Sequence, residues 1–359
     1  MFFNIDHDDG RSISGWFAPD NPSTTPKIAI IIPGRDEIVI EARELRTDIR
    51  DLGVHNTGMV GFLINESTII DLEHLSDVEL VDADTRLPLH RRFQPGQHLE
   101  RKLFLFDCSV MPQRAMMKTI ASHFSLNYPS CERNALETML VIINNHFAKS
   151  IFISGRSNHN RYVGALENAG FLKAALLRDP FEELAERLLF FSLLSRSDAS
   201  HLLPTYVTGL TPLVEFARDL PFNDPKQLLS VFRNATDEQR HAVMSPMVRM
   251  LGCNFDELPD RRHVSLALEH LAACDVVGTR SRLPNFRALL ADLLGEDVLG
   301  EESPANFQTV QAVSQTLSRI GVVVDLLEAD IALYALAEEA INIGLAGLDT
   351  DSGRDTQTI

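Results

Sequence analysis

A chain of 359 residues with 45% hydrophobic and 23% charged side chains has the composition of a folded protein, and it is long enough for two cores rather than one. Its 33 basic against 50 acidic side chains give a formal charge of −17, which excludes a nonspecific nucleic-acid or anionic-membrane binder and makes any phosphate-bearing ligand depend on a local basic pocket. No apolar run reaches the ~18 residues of a membrane span, and the start Met1-Phe2-Phe3-Asn4-Ile5-Asp6 lacks the basic and apolar regions of a signal peptide, so the expectation is a cytoplasmic protein with no integral membrane segment.

Short strand-like runs fill the first hundred residues, at Lys27 to Ile32, Glu37 to Glu41, Gly61 to Ile64 and Val78 to Val81. Turn signals such as Pro33-Gly34 and Asn56-Thr57-Gly58 separate them. This texture predicts a small all-β sandwich over residues 1–98, with Trp16, the one tryptophan, as a plug between its sheets. Ser14-Gly15-Trp16, Gly58 to Phe62 and Asp82 to Thr85 resemble the small β-modules attached to bacterial glycan-modifying enzymes, which implies an accessory role. Asp20, Asp48 and Asp51 lack the dense oxygen spacing of a calcium loop, and Cys108, Cys131, Cys253 and Cys274 are scattered, so no metal is expected.

After a linker at Pro95-Gly96-Gln97-His98 the texture changes. Lys102 to Asp107 reads as a buried strand, Met116, Met117, Ile120 and Phe124 fall at helical spacing, and Ala135 to Phe147 reads as a second helix. A second strand, Ser150 to Ser154, leads to a polar loop from Gly155 to Asn160. The run Ala174-Ala-Leu-Leu-Arg-Asp-Pro180 is a third strand feeding a helix, with Asp179 as its cap and Pro180 in its first turn. Arg178 therefore stands at the carboxyl end of a strand beside a helix N-terminus, where open α/β sheets bind phosphates. The alternation predicts an α/β domain, a parallel sheet wrapped by helices, over residues 102–347.

Beyond Phe190 the pattern is helical, with a helical cap over about residues 190–262, Pro225 at a helix start and Thr236 to Gln239 as a capping box. Asp275 to Thr279 predicts a short strand and turn before a helix from Leu283 to Leu294. A last helix runs from Val322 to Leu345, and residues 348–359 read as a disordered tail.

The order of the Phe104 to Met117 strand-loop-helix, the Gly155 loop, Leu-Arg-Asp-Pro at 177–180, Asp-x-x-Gly at 275–278 and Asp-x-x-Leu-Tyr at 330–334 resembles the carbohydrate sulfotransferases over residues 102 to 345. That resemblance implies a P-loop-like fold that binds 3′-phosphoadenosine 5′-phosphosulfate and passes its sulfuryl group to a hydroxyl of a glycan or surface polysaccharide. The family has a lysine in the loop after the first strand where this chain has Gln113, so Arg114, one residue along, is the candidate to supply the charge. Arg178 matches the arginine that holds the donor's 3′-phosphate. The serine expected eight positions later is Glu186, a carboxylate that would repel a phosphate, and Glu183 lies where the family often has arginine.

His159, as general base by residue type, and Arg114 are the candidate catalytic residues, and Arg156 and Arg161 make the His159 loop locally basic, so Arg156 joins Arg178, Arg114 and Gln113 as a candidate cofactor-binding residue. His123, His146, His241 and His270 form no metalloprotease spacing, and no Gly-x-Ser-x-Gly or Gly-x-Gly-x-x-Gly element is present. The losses at Gln113 and Glu186 keep a second expectation open, a non-catalytic protein of the same fold that binds a glycan or a partner enzyme of glycan biosynthesis.

Overall fold

The structure, a computed structural model, describes residues 1–111, 113–197, 210–254, 256–301 and 304–352. Eight strands occupy the first ninety-one positions: β1 (Phe2–Asp8), β2 (Ile13–Ala18), β3 (Lys27–Ile31), β4 (Ile38–Glu41), β5 (Glu44–Leu45), β6 (Met59–Ile64), β7 (Glu79–Asp82) and β8 (Pro88–Arg91). They form two four-stranded sheets, β1-β2-β6-β5 and β4-β3-β7-β8, whose neighbouring strands pair antiparallel. Period-two burial is clear in β1, where Phe3 and Ile5 are buried between exposed neighbours.

Five further strands, β9 (Lys102–Asp107), β10 (Leu126–Tyr128), β11 (Ile151–Gly155), β12 (Leu172–Leu177) and β13 (Val276–Thr279), form one parallel sheet in the order β10-β11-β9-β12-β13. Their near-continuous burial, from Leu103 to Phe106, Ile151 to Ile153 and Ala174 to Leu177, is what a sheet covered on both faces requires. The expected mixed α/β architecture is therefore present, with helices along the parallel sheet and antiparallel sheets at the N-terminal side. The three-residue strand β10 carries too short a pattern to stand out from sequence.

Two compact units divide the chain. The first comprises residues 1–104, 118–154 and 164–172, and the second 105–117, 155–163 and 173–359. In the first unit the Tyr128 hydroxyl donates to the Pro88 carbonyl at 2.9 Å, and the chain's amino group reaches Thr138 at 2.8 Å on helix α3 (Leu136–Ile143). Helix α3 is shorter than the run expected from Ala135 to Phe147. Trp16 is only partly buried. It packs on the small cluster of Ala18, Val60 and Ile49 of helix α1 (Thr47–Asp51), with the Arg46 guanidinium 6.0 Å from its ring centre, rather than plugging two sheets. Gly15 beside it is required by close approach, because a Cβ there would collide with the Asn4 carbonyl of the neighbouring strand.

The second unit is built around helix α5 (Pro180–Arg196). Leu184, Leu188 and Phe191 of α5 pack with Leu213, Phe232, Leu317 and Leu327 from later helices in one continuous core. Short helices follow: α6 (Thr211–Ala217), α7 (Pro225–Arg233), α8 (Asp237–Val243), α9 (Pro246–Leu251) and α10 (Arg261–Ala272). The capping box of Thr236 with Gln239 is formed in both directions, and Asp224 caps the helix begun by Pro225. Part of the expected helical cap, residues 198–209, lies outside the described residues.

Helix α11 (Leu283–Leu294) has the expected bounds, and α12 (Val310–Leu317) precedes the closing pair. The single last helix expected from Val322 to Leu345 is two, α13 (Gly321–Leu326) and α14 (Glu328–Ser352). Helix α14 continues to Ser352, and residues 353–359 of the expected tail lie outside the described residues. Among the described residues no helix is long and apolar enough to cross a membrane.

Candidate functional site

The strand order sends the chain toward β10 after β9 and toward β13 after β12, so the connections leaving these two neighbours diverge. Ligands of open α/β sheets bind beyond the carboxyl ends of such a pair. The carboxyl ends of β9, β12 and β13 all belong to the second unit.

Arg178 immediately follows β12. Asp179 then caps α5, its carboxylate accepting the Phe181 and Glu182 amides at 2.9 and 3.0 Å, with Pro180 in the first turn, as the sequence predicts. Arg280 immediately follows β13, and Leu177 pairs with Thr279 in the parallel register, so the two arginines leave adjacent strands at the same level. Both converge on one carboxylate oxygen. Arg178 Nη1 forms an ion pair with Glu186 Oε1, and Arg280 Nη1 donates to the same oxygen at 3.3 Å.

The Arg178, Glu186 and Arg280 side chains are 4%, 2% and 7% exposed. Two guanidiniums thus share one buried carboxylate. Burial by itself would lower the Arg178 pKa, but the adjoining Glu186 carboxylate, together with the charges of Glu183 and Glu182, outweighs it and holds the guanidinium above its ordinary value. Arg178 Nη2 donates to Asn306 at 3.4 Å, and Arg178 Nε lies 3.9 Å from the half-exposed Glu182. Among the described residues, nothing hydrogen-bonds to the buried Arg280 Nε and Nη2 or to the buried Glu186 Oε2. Buried donors are normally satisfied, which makes these nitrogens candidates to meet a ligand.

Glu186, expected from sequence to repel a phosphate, is thus itself held by two arginines. Gln113 is buried and does not open toward a ligand. Its side-chain oxygen accepts the Ala305 amide at 2.8 Å and its nitrogen donates to Met111 O at 3.2 Å, which fixes the segment carrying Asn306 against the loop after β9. Gln113 and Arg178 are brought together in this way through residues 305–306. Arg114 is exposed at the first position of helix α2 (Arg114–Ala121), and Arg156 lies half-buried just after β11. Pro112 lies outside the described residues.

His159 is not in a loop. It begins helix α4 (His159–Asn168), is 1% exposed, and stacks on His270 with ring centres 4.1 Å apart, while Phe106 lies 5.4 Å away. The His270 Nδ1 faces the Leu251 carbonyl at 2.5 Å, so that nitrogen carries the proton. A helix start explains the difference: Asn158 and Asn160, which read as loop formers, donate to the Cys253 carbonyl at 2.8 and 3.3 Å and dock this turn.

Beside Arg280 a chain of hydroxyls runs from Thr279 to Ser281 at 2.9 Å, on to Tyr334 at 3.3 Å, and from Tyr334 to Glu338 at 3.2 Å. Asp330, on the same helix as Tyr334, is fully buried and accepts the Met247 and Val248 amides at 3.1 and 2.8 Å, capping α9 from outside its own helix. Burial pushes its carboxyl up to about 7 against the opposing pull of those amides. Asp275 takes the Lys173 amide at 2.7 Å and pins the start of β13. Burial also raises the thiols of Cys253 and Cys274 to about 11, and that of Cys108 well above its ordinary value, so none is a poised nucleophile.

Arg280 and Asn306 were not legible as site residues. The signal for Arg280 was the one that identified Arg178, an arginine directly after a buried strand. Compared with known proteins, the chain matches no family model and no curated sequence.

Proposed function

We propose that the second unit binds the phosphate or sulfate group of a small ligand at the carboxyl edge of the parallel sheet, and that the ligand is a nucleotide of the 3′-phosphoadenosine 5′-phosphosulfate type. The observation that carries this reading is the convergence of Arg178 and Arg280, from adjacent strand ends, on a buried position where two Arg280 nitrogens have no partner among the described residues. Guanidinium forks suit tetrahedral oxyanions, and the position is the one at which open α/β sheets take ligands.

A sulfotransferase-like transfer to a glycan hydroxyl is the fuller form of this proposal, supported by the Arg-Asp-Pro corner at the diverging pair of strands. The side chains around it favour the plainer form, a protein that binds without transferring and meets a glycan or a partner enzyme. Gln113 is engaged with Ala305, and the His159 ring is stacked on His270. A transfer reaction needs a base in reach of the acceptor hydroxyl and positive charge on the moving group.

Calorimetry with 3′-phosphoadenosine 5′-phosphate at low and moderate salt tests the binding. Affinity near micromolar, roughly −8 kcal/mol, weakened by salt, is expected. Absence of heat at millimolar ligand would overturn the nucleotide assignment. Incubation with the sulfated donor and mixed polysaccharides then separates transfer from binding alone.

A further inference from the structure

We propose that the first unit carries a binding site of its own, a cavity that takes an uncharged aromatic ring bearing an O–H or N–H donor, and that His90 Nδ1 accepts the ligand's hydrogen bond. The proposal is independent of the oxyanion reading of the second unit, because every residue lining this cavity belongs to the first.

The cavity measures about 820 Å³, the size of a small-molecule site. Leu75, Phe93, Phe147 and Ala148 supply apolar wall, and Phe147 is 38% exposed although it is a large hydrophobic side chain. Set among them are Asp8, His90 and Arg92, whose side chains are 8%, 6% and 10% exposed.

The hydrogen bonds of these three leave one acceptor unspent. All five Arg92 donors are used, two on Asp8 at 3.0 and 3.1 Å and three on the Leu72, Leu75 and Gly10 carbonyls at 2.7, 2.6 and 2.8 Å. Burial by itself would raise the Asp8 pKa, but the hydrogen bonds from His90 and Arg92 hold the carboxyl well below its ordinary range. It therefore stays ionised and accepts the His90 Nε2–H at 2.9 Å, which leaves Nδ1 as the nitrogen with the lone pair. Among the described residues nothing hydrogen-bonds to that nitrogen, and the carboxylate behind the ring strengthens it as an acceptor. Phe147 meets the imidazole edge-on, with ring centres 5.5 Å apart, so the apolar wall and the acceptor adjoin.

Charge around the cavity is already matched. Arg91 pairs with Asp77 at 2.8 Å, Glu73 with Arg11 at 2.8 Å and Lys149 with Glu100 at 3.2 Å, as Asp8 does with Arg92. Glu79, opposite Arg91 in the register of β7 and β8, does not line the cavity. An ionic ligand would have to displace one of these partners, whereas an uncharged ring gains from the apolar wall and from one hydrogen bond.

The test uses phenol and anisole, which share a ring and differ in the donor that the methyl group of anisole replaces. Both are titrated into the full chain at pH 8, where phenol keeps its proton, and followed by NMR. Phenol is expected to bind about tenfold more tightly, the size of one hydrogen bond, although anisole is the more apolar. His90→Phe keeps a ring, removes Nδ1 and is expected to abolish the preference. Phe147→Ala, at a part-exposed position, is expected to weaken both ligands about threefold or more, which places them in this cavity. Equal binding or a preference for anisole in the unaltered protein overturns the proposal, as does failure of both to bind at tens of millimolar. So does a preference that survives in a folded His90→Phe protein, or binding that Phe147→Ala leaves unchanged. If His90→Phe does not fold, the unaltered protein and Phe147→Ala decide. None of these outcomes bears on nucleotide binding by the second unit.

Discussion

Arg178 and Glu186 face each other within the second unit, the arginine from the end of β12 and the glutamate from two turns into α5, with 4% and 2% of their side chains exposed. The strand-to-helix corner and the helix it starts are thereby clamped together by charge. Water would otherwise compensate both groups, so each depends on the other once buried.

Replacing Arg178 with Met keeps the bulk and removes the charge, leaving Glu186 with Arg280 alone at 3.3 Å. The expected loss is about 3–5 kcal/mol in urea unfolding, the usual result of breaking a buried pair from one side. A loss below about 1 kcal/mol would mean that solvent supports the pair.

Asp330 links stability to pH. Its carboxyl stands at about 7 in the fold against an ordinary 3.8, so between those values the folded state holds a proton that the unfolded chain has released. Its contribution is fully present below the unfolded value and is lost as pH rises through the folded one. Asp330→Asn removes this titration, so the stability difference between parent and variant should shift against the parent by a few kcal/mol at most between pH 4 and pH 7. Parallel curves across that window would sink the assignment.

Asp8 gives the opposite sign in the first unit. Burial raises its pKa, but hydrogen bonds from His90 at 2.9 Å and Arg92 at 3.0 and 3.1 Å outweigh this and hold the carboxyl well below its ordinary range. The resulting stability is present above the unfolded value and fades as pH falls. Asp8→Ala should cost about 3 kcal/mol at neutral pH and progressively less below pH 4, measured as denaturation midpoints.

Gly278 fixes how closely α11 packs on β13. A Cβ there would lie 2.5 Å from Cδ2 and 2.7 Å from Cβ of Phe286, a fully buried side chain. Gly278→Ala should destabilise by about 1–3 kcal/mol, and Phe286→Leu in the same chain should recover part of it. Additive effects in the double variant would show that the two positions do not compete for space.

The parallel strands β9, β11, β12 and β13, the α5 cap at Asp179 and the Thr236 capping box were legible because each rests on a few adjacent residues whose pattern has one good backbone solution. Arg178 was legible for the same reason. His159 was misplaced because Asn158 and Asn160 signal a loop locally, while the Cys253 carbonyl that docks them comes from far along the chain. Glu186 could be read only as repulsive, since its two partners arrive from separate strand ends. The sequence by itself determined that there would be buried parallel strands joined by helices, with an arginine at one strand end, because apolar periodicity and capping act over one or two turns. Only the tertiary structure decided which strands are neighbours, and hence that Arg178 and Arg280 share Glu186, because pairing and charge compensation depend on distances in space that no local pattern encodes.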